Sequence, residues 1–408
     1  MATVWILLIG LLVVLLLYGD VRASARRRLT PEKAAEWEWS TWPQWTAVEP
    51  RGDRIRVLWV DQDYVPWVNA GSEVCTHQIN KYLMRRPYKW DVWVAAPGQA
   101  RVTYEGIRCF DLRDTATFCK VLESTQILCS HSYAYRTALC TISAKTGIPF
   151  ASWIHTDNYA NTCKKTRYAW SYPGAEGRIW NAFNSESLLS AGATEGAAAA
   201  AVPQSAVFVP TVDYREYAVE PAKWTPKYVT LSNVNDNKGG RLLVQLARAC
   251  PDMEFLGVQG GYSNQIVEKD LPNLTYVPHT NRIKEVYAKT WVQIMPSRYE
   301  TWGRTAVEAM ATGIPVVVSP TPGLKECCGG AAVYLERDDL EGWVRTLRLL
   351  KSDTDFYNSR SKIAVERARA LDPKPTLERI EAWLEETVLP SGAEGRLLSP
   401  LEKNLLFR

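Results

Sequence analysis

Apolar residues along this chain follow two alternating rhythms, and the alternation marks out elements. Short apolar runs bounded by turn residues, at 55–60, 91–95, 106–110, 126–130, 148–154, 179–184 and 206–213, read as strands. Helical spacing of apolar positions recurs at 73–83, at 134–145 and after Ser185, a suitable N-cap, with an alanine-rich helical stretch at 191–201. A second series follows. Its strands fall at 228–231, 253–257, 273–277, 291–295, from Ile314 onward and at 331–334, and its helices at 238–250, 282–289, 303–312, 339–352 and 354–371. Strands that alternate with helices build mostly parallel sheets covered on both faces, so the expected class is α/β with two doubly wound domains. Residues 214–227, carrying Pro221 and Pro226, separate the two series. The expected division is therefore a first domain at 55–213, a linker at 214–227, a second domain at 228–375, and a closing helix and tail at 376–408. That helix opens at Thr376 as N-cap and sets Leu377, Ile380, Trp383 and Leu384 on one side.

The amino terminus breaks this pattern. Residues 2–19 carry no charge, a length near the lower limit of about 17–25 residues for a membrane span. Arg22, Arg26, Arg27 and Arg28 follow, and no Lys or Arg precedes, so the positive-inside bias predicts a single-pass anchor over 1–20 with the folded body in the cytoplasm. The competing reading is a signal peptide cleaved near Ala23-Ser24-Ala25, which would lack the usual basic n-region. Residues 21–54 read as a linker, and its Trp37, Trp39, Trp42 and Trp45 suit either a lipid headgroup layer or an apolar patch of the first domain.

Composition adds limits. A chain of 408 residues is too long for a single core, and its 46% hydrophobic and 23% charged content fits two folded domains with appendages. A net charge of +4 gives no reason to expect a nucleic-acid partner. Nine cysteines without Cys-x-x-Cys metal spacing read as free buried thiols, the adjoining Cys327 and Cys328 included.

The chemistry concentrates in residues 294–323. A strand ends at Met295, a polar loop carries Glu300, and a helix starts just after Gly303. In an open parallel sheet such a loop faces the crevice at the strands' carboxyl ends. Backbone N–H groups around Gly303, Arg304 and Thr305 would then meet a phosphate, helped by the helix dipole, with Gly303 permitting close approach. Glu308 lies about 7 Å further along the axis, at about 1.5 Å per residue, where a carboxylate can accept from a ribose diol. Glu300 can reach a group beyond the phosphates. Two carboxylates bracketing an anion cradle describe a site for a nucleotide-linked sugar.

Pro296, Ser297, Glu300, Gly303, Glu308, Ala309, Met310, Ala311, Gly313, Pro315, Val316 and Val317 together resemble the Glu-x7-Glu signature of the GT4-type retaining glycosyltransferases (glycosyl transferases group 1). The resemblance, covering about residues 50–388, implies a GT-B fold. Two Rossmann-like domains then face one another across the active-site cleft, and a terminal helix crosses back to the first. It also implies transfer of a hexose from a nucleotide diphosphate sugar, with retention and without a metal or other cofactor. No Asp-x-Asp pair in a metal-binding context is evident. Gly71-Ser72-Glu73 resembles the family's Gly-Gly-x-Glu loop, which places Gly71 against the donor phosphate. Lys238 takes the place of a family lysine on the diphosphate, and Asn233 stands where the pattern has arginine, a loss of charge that Arg304 could make good. His155, followed by Thr156 and Asp157 at the end of a strand, occupies the position of a family histidine on the transferred sugar. Glu300 would fix that sugar's hydroxyls. The acceptor, glycan, lipid or protein, is not identified. Residues 158–178, rich in aromatic and basic side chains, read either as an acceptor-facing loop or as a solvated one, and His279 either stacks on the base or is a turn residue.

Rival readings remain on the same scaffold: a UDP-sugar 2-epimerase, or a non-catalytic sugar-nucleotide-binding protein, suggested by Asn233. A nicotinamide enzyme is disfavoured, since no Gly-x-Gly-x-x-Gly follows the strand at 55–60.

Overall fold

The computed structural model describes residues 42–156, 172–192, 202, 204–219, 224–261 and 263–392. The anchor expected over 2–19, Trp37 and Trp39, most of the aromatic and basic stretch, and most of the alanine-rich stretch lie outside the described residues. Among the described residues no helix is long and apolar enough to cross a membrane.

Two sheets form two domains. The first contains β1 (Ile55–Val60), β2 (Trp90–Ala96), β3 (Val102–Tyr104), β4 (Ile107–Asp111), β5 (Ile127–Ser130), β6 (Phe150–Ile154), β7 (Ile179–Phe183) and β8 (Ser205–Val207), in the order β3-β4-β2-β1-β5-β6-β7-β8. Only the β3–β4 pair is antiparallel. Helices α1 (Gly71–Leu83), α2 (Thr115–Glu123), α3 (Tyr133–Thr146) and α4 (Glu186–Gly192) connect the strands. Because helices cover both faces, β2 and β5 are buried along their whole length, which explains why they read as apolar runs without alternation.

The second sheet contains β9 (Tyr228–Ser232), β10 (Glu254–Val258), β11 (Leu274–Val277), β12 (Thr290–Met295), β13 (Val316–Val318) and β14 (Ala332–Tyr334), all parallel, in the order β11-β10-β9-β12-β13-β14. Its helices are α5 (Gly240–Ala249), α6 (Ile283–Tyr287), α7 (Arg304–Thr312), α8 (Pro322–Cys328), α9 (Leu340–Ser352) and α10 (Thr354–Ala370), and the chain continues into α11 (Pro373–Trp383). Strand order in each sheet reverses once, between β1 and β5 in the first and between β9 and β12 in the second. In open α/β sheets that reversal opens the ligand crevice.

Helix α11 and the turn after it leave the second domain. Leu377, Ile380, Leu384 and Val388 join β1 and β2 in the first domain's core, and the buried carboxylate of Glu381 accepts from Trp90 Nε1 at 2.8 Å and Arg86 Nη1 at 3.1 Å. The helix starts earlier than Thr376: Asp372 is the N-cap, its side chain accepting from the Lys374 N–H, and Pro373 fills the first helical position.

Of the linker tryptophans, Trp42 stacks on Tyr104 at 4.7 Å, while Trp45 packs edge-on against Trp93 and donates to the Cys109 carbonyl. These two therefore cover the first domain. The eight described cysteines are free, and Cys327 and Cys328 hold their sulfurs 3.4 Å apart as thiols.

Candidate active site

On the second domain the site is built from the loops that follow β9 and β12, the two strands at the reversal. Gly239 has φ +100°, and a Cβ there would lie 2.3 Å from Pro296 Cγ, so only glycine lets the two loops nest. Arg298 N–H then donates to the Asn237 carbonyl at 2.8 Å, and Lys238 Nζ meets Glu300 Oε2 at 2.5 Å. Both side chains are largely buried, so this ion pair is poorly screened. Gly303, at φ +106°, precedes α7 with no side-chain cap; the Ala306 N–H donates to the Gly303 carbonyl at 2.9 Å, which leaves those of Arg304 and Thr305 to an anion. The expected reason for this glycine was ligand approach. In the structure its conformation and packing already require it, since a Cβ would come within 2.6 Å of Leu324 Cδ2.

Glu308 lies one turn along α7 and is held from three sides. Its Oε1 accepts from Tyr217 OH at 3.0 Å and pairs with Arg304 Nε at 2.7 Å, while Oε2 accepts from Tyr287 OH at 2.9 Å. A carboxylate has about four acceptor positions, so Glu308 has room for one ribose hydroxyl and not the pair expected.

Two expected phosphate groups sit differently. The Arg304 guanidinium turns to the first domain, donating to the Thr211 carbonyl at 2.5 Å, Gln78 Oε1 at 3.1 Å and Tyr217 OH at 3.2 Å. It is committed to joining the domains, and its backbone alone stays at the cradle. Asn233 adopts φ +68°, a region asparagine tolerates better than arginine, and packs over Gly260, where a Cβ would lie 2.4 Å from Asn233 Cγ. Its Oδ1 accepts from the Asn235 N–H at 3.4 Å. Turn geometry therefore accounts for this residue. Thr305 Oγ1 lies 3.5 Å from Met295 Sδ.

The first domain supplies the opposite wall from its own reversal point. Asp61 follows β1 and His131 follows β5. The Asp61 Oδ1 accepts from the His131 N–H at 2.7 Å, and Oδ2 lies 3.0 Å from His131 Nδ1. Glu73, in the first turn of α1, reaches within 3.7 Å of His131 Nε2. Burial opposes a charge on His131, yet the two carboxylates outweigh it and push its pKa up to about 10. His155, at the end of β6, sits 6.0 Å from His131 between ring centroids, and its buried Nε2 has no hydrogen-bond partner among the described residues. Burial, and then the charge on His131, push the His155 pKa down to about 3.

Gly71, the first residue of α1, is exposed with open space around it. Further along α1, Cys75 and Gln78 contact Arg304, so the middle of α1 faces the start of α7. Thr301, next to Glu300, donates to the His155 carbonyl at 2.7 Å, and Asn184 Nδ2 approaches the same carbonyl at 3.3 Å. The structure thus brings His155 against the loop of Glu300, while Gly71 begins the helix that contacts Arg304. Sequence reasoning missed Asp61, His131, Thr301, Tyr217 and Tyr287. The first two carried the signal that exposed His155, a polar residue directly after an apolar strand.

Residues 256–367, from β10 into α10, match the family model described as glycosyl transferases group 1. That match lies within the second domain. Among curated relatives, the O-antigen chain mannosyltransferase RfbU of Salmonella typhimurium is 30% identical over 87 residues, 21% of this chain and 25% of that protein. Sulfoquinovosyl transferase SQD2 of Arabidopsis thaliana is 25% identical over 170 residues, 40% of this chain and 33% of that protein. The matches therefore span a third or less of these relatives. Among solved structures, Anabaena HepE in complex with UDP-glucose superposes with TM-score 0.66 at 16% identity, over 82% of this chain and 100% of that one. Sucrose-phosphate synthase from Thermosynechococcus elongatus gives 0.62 at 14% identity, over 82% and 99%. These likenesses establish the fold as GT-B.

Proposed function

We propose that this protein is a glycosyltransferase that moves a sugar from a nucleoside diphosphate sugar to an acceptor, with retention at the sugar carbon. The observation that carries this reading is the Lys238–Glu300 ion pair beside the uncapped start of α7, facing His155 across the cleft. A diphosphate arriving there offers Lys238 a second anionic partner, and as the lysine turns to it the Glu300 carboxylate is released to accept from sugar hydroxyls. Lys238 and the N–H groups of α7 and α1 take up the charge that grows on the leaving diphosphate, a stabilisation worth most where water is excluded. His155 orients the sugar from the other wall, and Glu308 accepts one ribose hydroxyl. Retention and the role of His155 rest on the resemblance to GT4-type enzymes. Because HepE is solved with UDP-glucose, uridine donors are the first to try.

The test combines binding and turnover. A thermal-shift panel of nucleoside diphosphates and their sugars should find at least one that raises the melting temperature. With that donor, Glu300→Ala should lower transfer or donor hydrolysis by about 100- to 1000-fold while the nucleoside diphosphate still binds. Accumulation of an isomerised sugar nucleotide without release of nucleoside diphosphate would overturn the proposal.

A further inference from the structure

We propose that His131 is a positioning residue: clamped between Asp61 and Glu73 at the first domain's reversal point, it sets a fixed positive charge edge-on to His155 and keeps that cleft imidazole uncharged. The inference deepens the transferase reading and rests on it for its kinetic consequence only.

The geometry is specific. His131 is approached by a carboxylate at each ring nitrogen, Asp61 Oδ2 at 3.0 Å from Nδ1 and Glu73 Oε1 at 3.7 Å from Nε2, with Thr76 Oγ1 at 3.1 Å from Nδ1. Asp61 is fully buried and is itself held by the Ser130 hydroxyl at 3.1 Å and the His131 N–H at 2.7 Å. Glu73 is anchored by Ser72 Oγ at 2.8 Å. Asp61 is fully buried and Glu73 nearly so, and the imidazolium between them offsets both charges. The His155 ring stands at 78° to the His131 ring with its centroid 6.0 Å away, and its Nε2 has no partner among the described residues. Among the described residues, the charged groups facing the two rings are Asp61 from the loop after β1, Glu73 from α1 and His131 itself. Two imidazolium rings this close inside the protein repel one another, so His155, with no carboxylate paired to it among the described residues, gives up its proton.

The consequence concerns the sugar. A neutral His155 offers a hydroxyl both a donor and an acceptor, and it adds no cation beside a ring carbon that gains positive character during transfer. Asp61, His131 and Glu73 together carry one net negative charge, which favours that character. The triad thus acts on the reaction through His155 without touching the substrate.

The chain has four histidines, at 77, 131, 155 and 279, so a histidine-selective 13C spectrum of the intact protein holds four ring signals that single substitutions assign. In the wild type between about pH 5 and about pH 8, His131 should stay protonated and His155 neutral, neither signal shifting. In His131→Asn the His155 signal should begin to titrate within that range. Its kcat should acquire an acid limb absent from the wild type, with donor KM changed less than about threefold. Should His131→Asn fail to fold, Glu73→Gln, which keeps the shape and removes one carboxylate, should bring the loss of the His131 proton to lower pH. A wild-type His155 that titrates near its ordinary value, or a His155 curve unchanged in His131→Asn, overturns the proposal. The spectra need no substrate: if they come out as expected but no sugar nucleotide is bound or turned over, the transferase reading fails and the electrostatic arrangement stands.

Discussion

His131 and His155 are pulled in opposite directions by neighbours a few ångströms apart, and stability must carry the mark of both. His155 stays neutral in the folded protein down to about pH 3, while in the unfolded chain it takes a proton near 6.5. The unfolded state therefore binds more protons between those values, so this residue's contribution falls as pH drops below about 6.5. His131 keeps its proton in the folded state up to about pH 10, so its contribution is complete below about 6.5 and is lost as pH rises toward 10. Urea midpoints measured across this range should peak between about pH 6 and about pH 7, and a His131→Asn variant should lose the alkaline decline. Residues at this scale were legible where position alone decides. His155, Lys238 and Glu300 each follow a strand, and the structure sets them around one cleft. The side-chain direction of Arg304 was not legible, because its partners Thr211, Gln78 and Tyr217 come from segments far away in the chain. The backbone angle of Asn233, which accounts for asparagine there, has no local sequence mark either.

Elements place those residues, and glycines set how closely the elements meet. Replacing Gly303 by alanine adds a Cβ at φ +106° and 2.6 Å from Leu324 Cδ2, and should cost about 1–3 kcal/mol of stability by denaturant titration. At the far end of the fold, Leu384 follows α11 and is fully buried in the first domain's core. Leu384→Ala should cost about 2–5 kcal/mol in the same measurement, although α10, just before α11, belongs to the second domain. The long apolar strands and amphipathic helices were readable because both of their periods persist over several residues. Strand β3, with three residues, and α8, with seven and a proline at its start, are too short for either period to emerge. The start of α11 shifted for a related reason: Asp372 and Thr376 are both good caps, and Pro373 decides for the earlier one.

The molecule as a whole is two sheets whose reversal points face one another, tied by polar contacts around the cleft. Thr301 reaches the His155 carbonyl, Arg304 reaches the Thr211 carbonyl and Gln78, and Glu326 accepts from the Glu186 and Ser187 N–H groups at 2.9 and 3.1 Å. These ties come from α7, α8 and the loop before α7, so docking a ligand at the start of α7 and closing the domains act on the same segment. The two-domain plan was readable from two series of alternating elements. The facing of the two reversal points was not, because strand order depends on pairings between distant segments. Whether a diphosphate binds between Lys238 and the start of α7 is decided by calorimetric titration of the wild type and Lys238→Ala with the nucleoside diphosphate that gives the largest thermal shift. The variant, still folded, should bind about 10- to 100-fold more weakly, the loss of one charge-assisted contact. Equal affinity in the two proteins would contradict it.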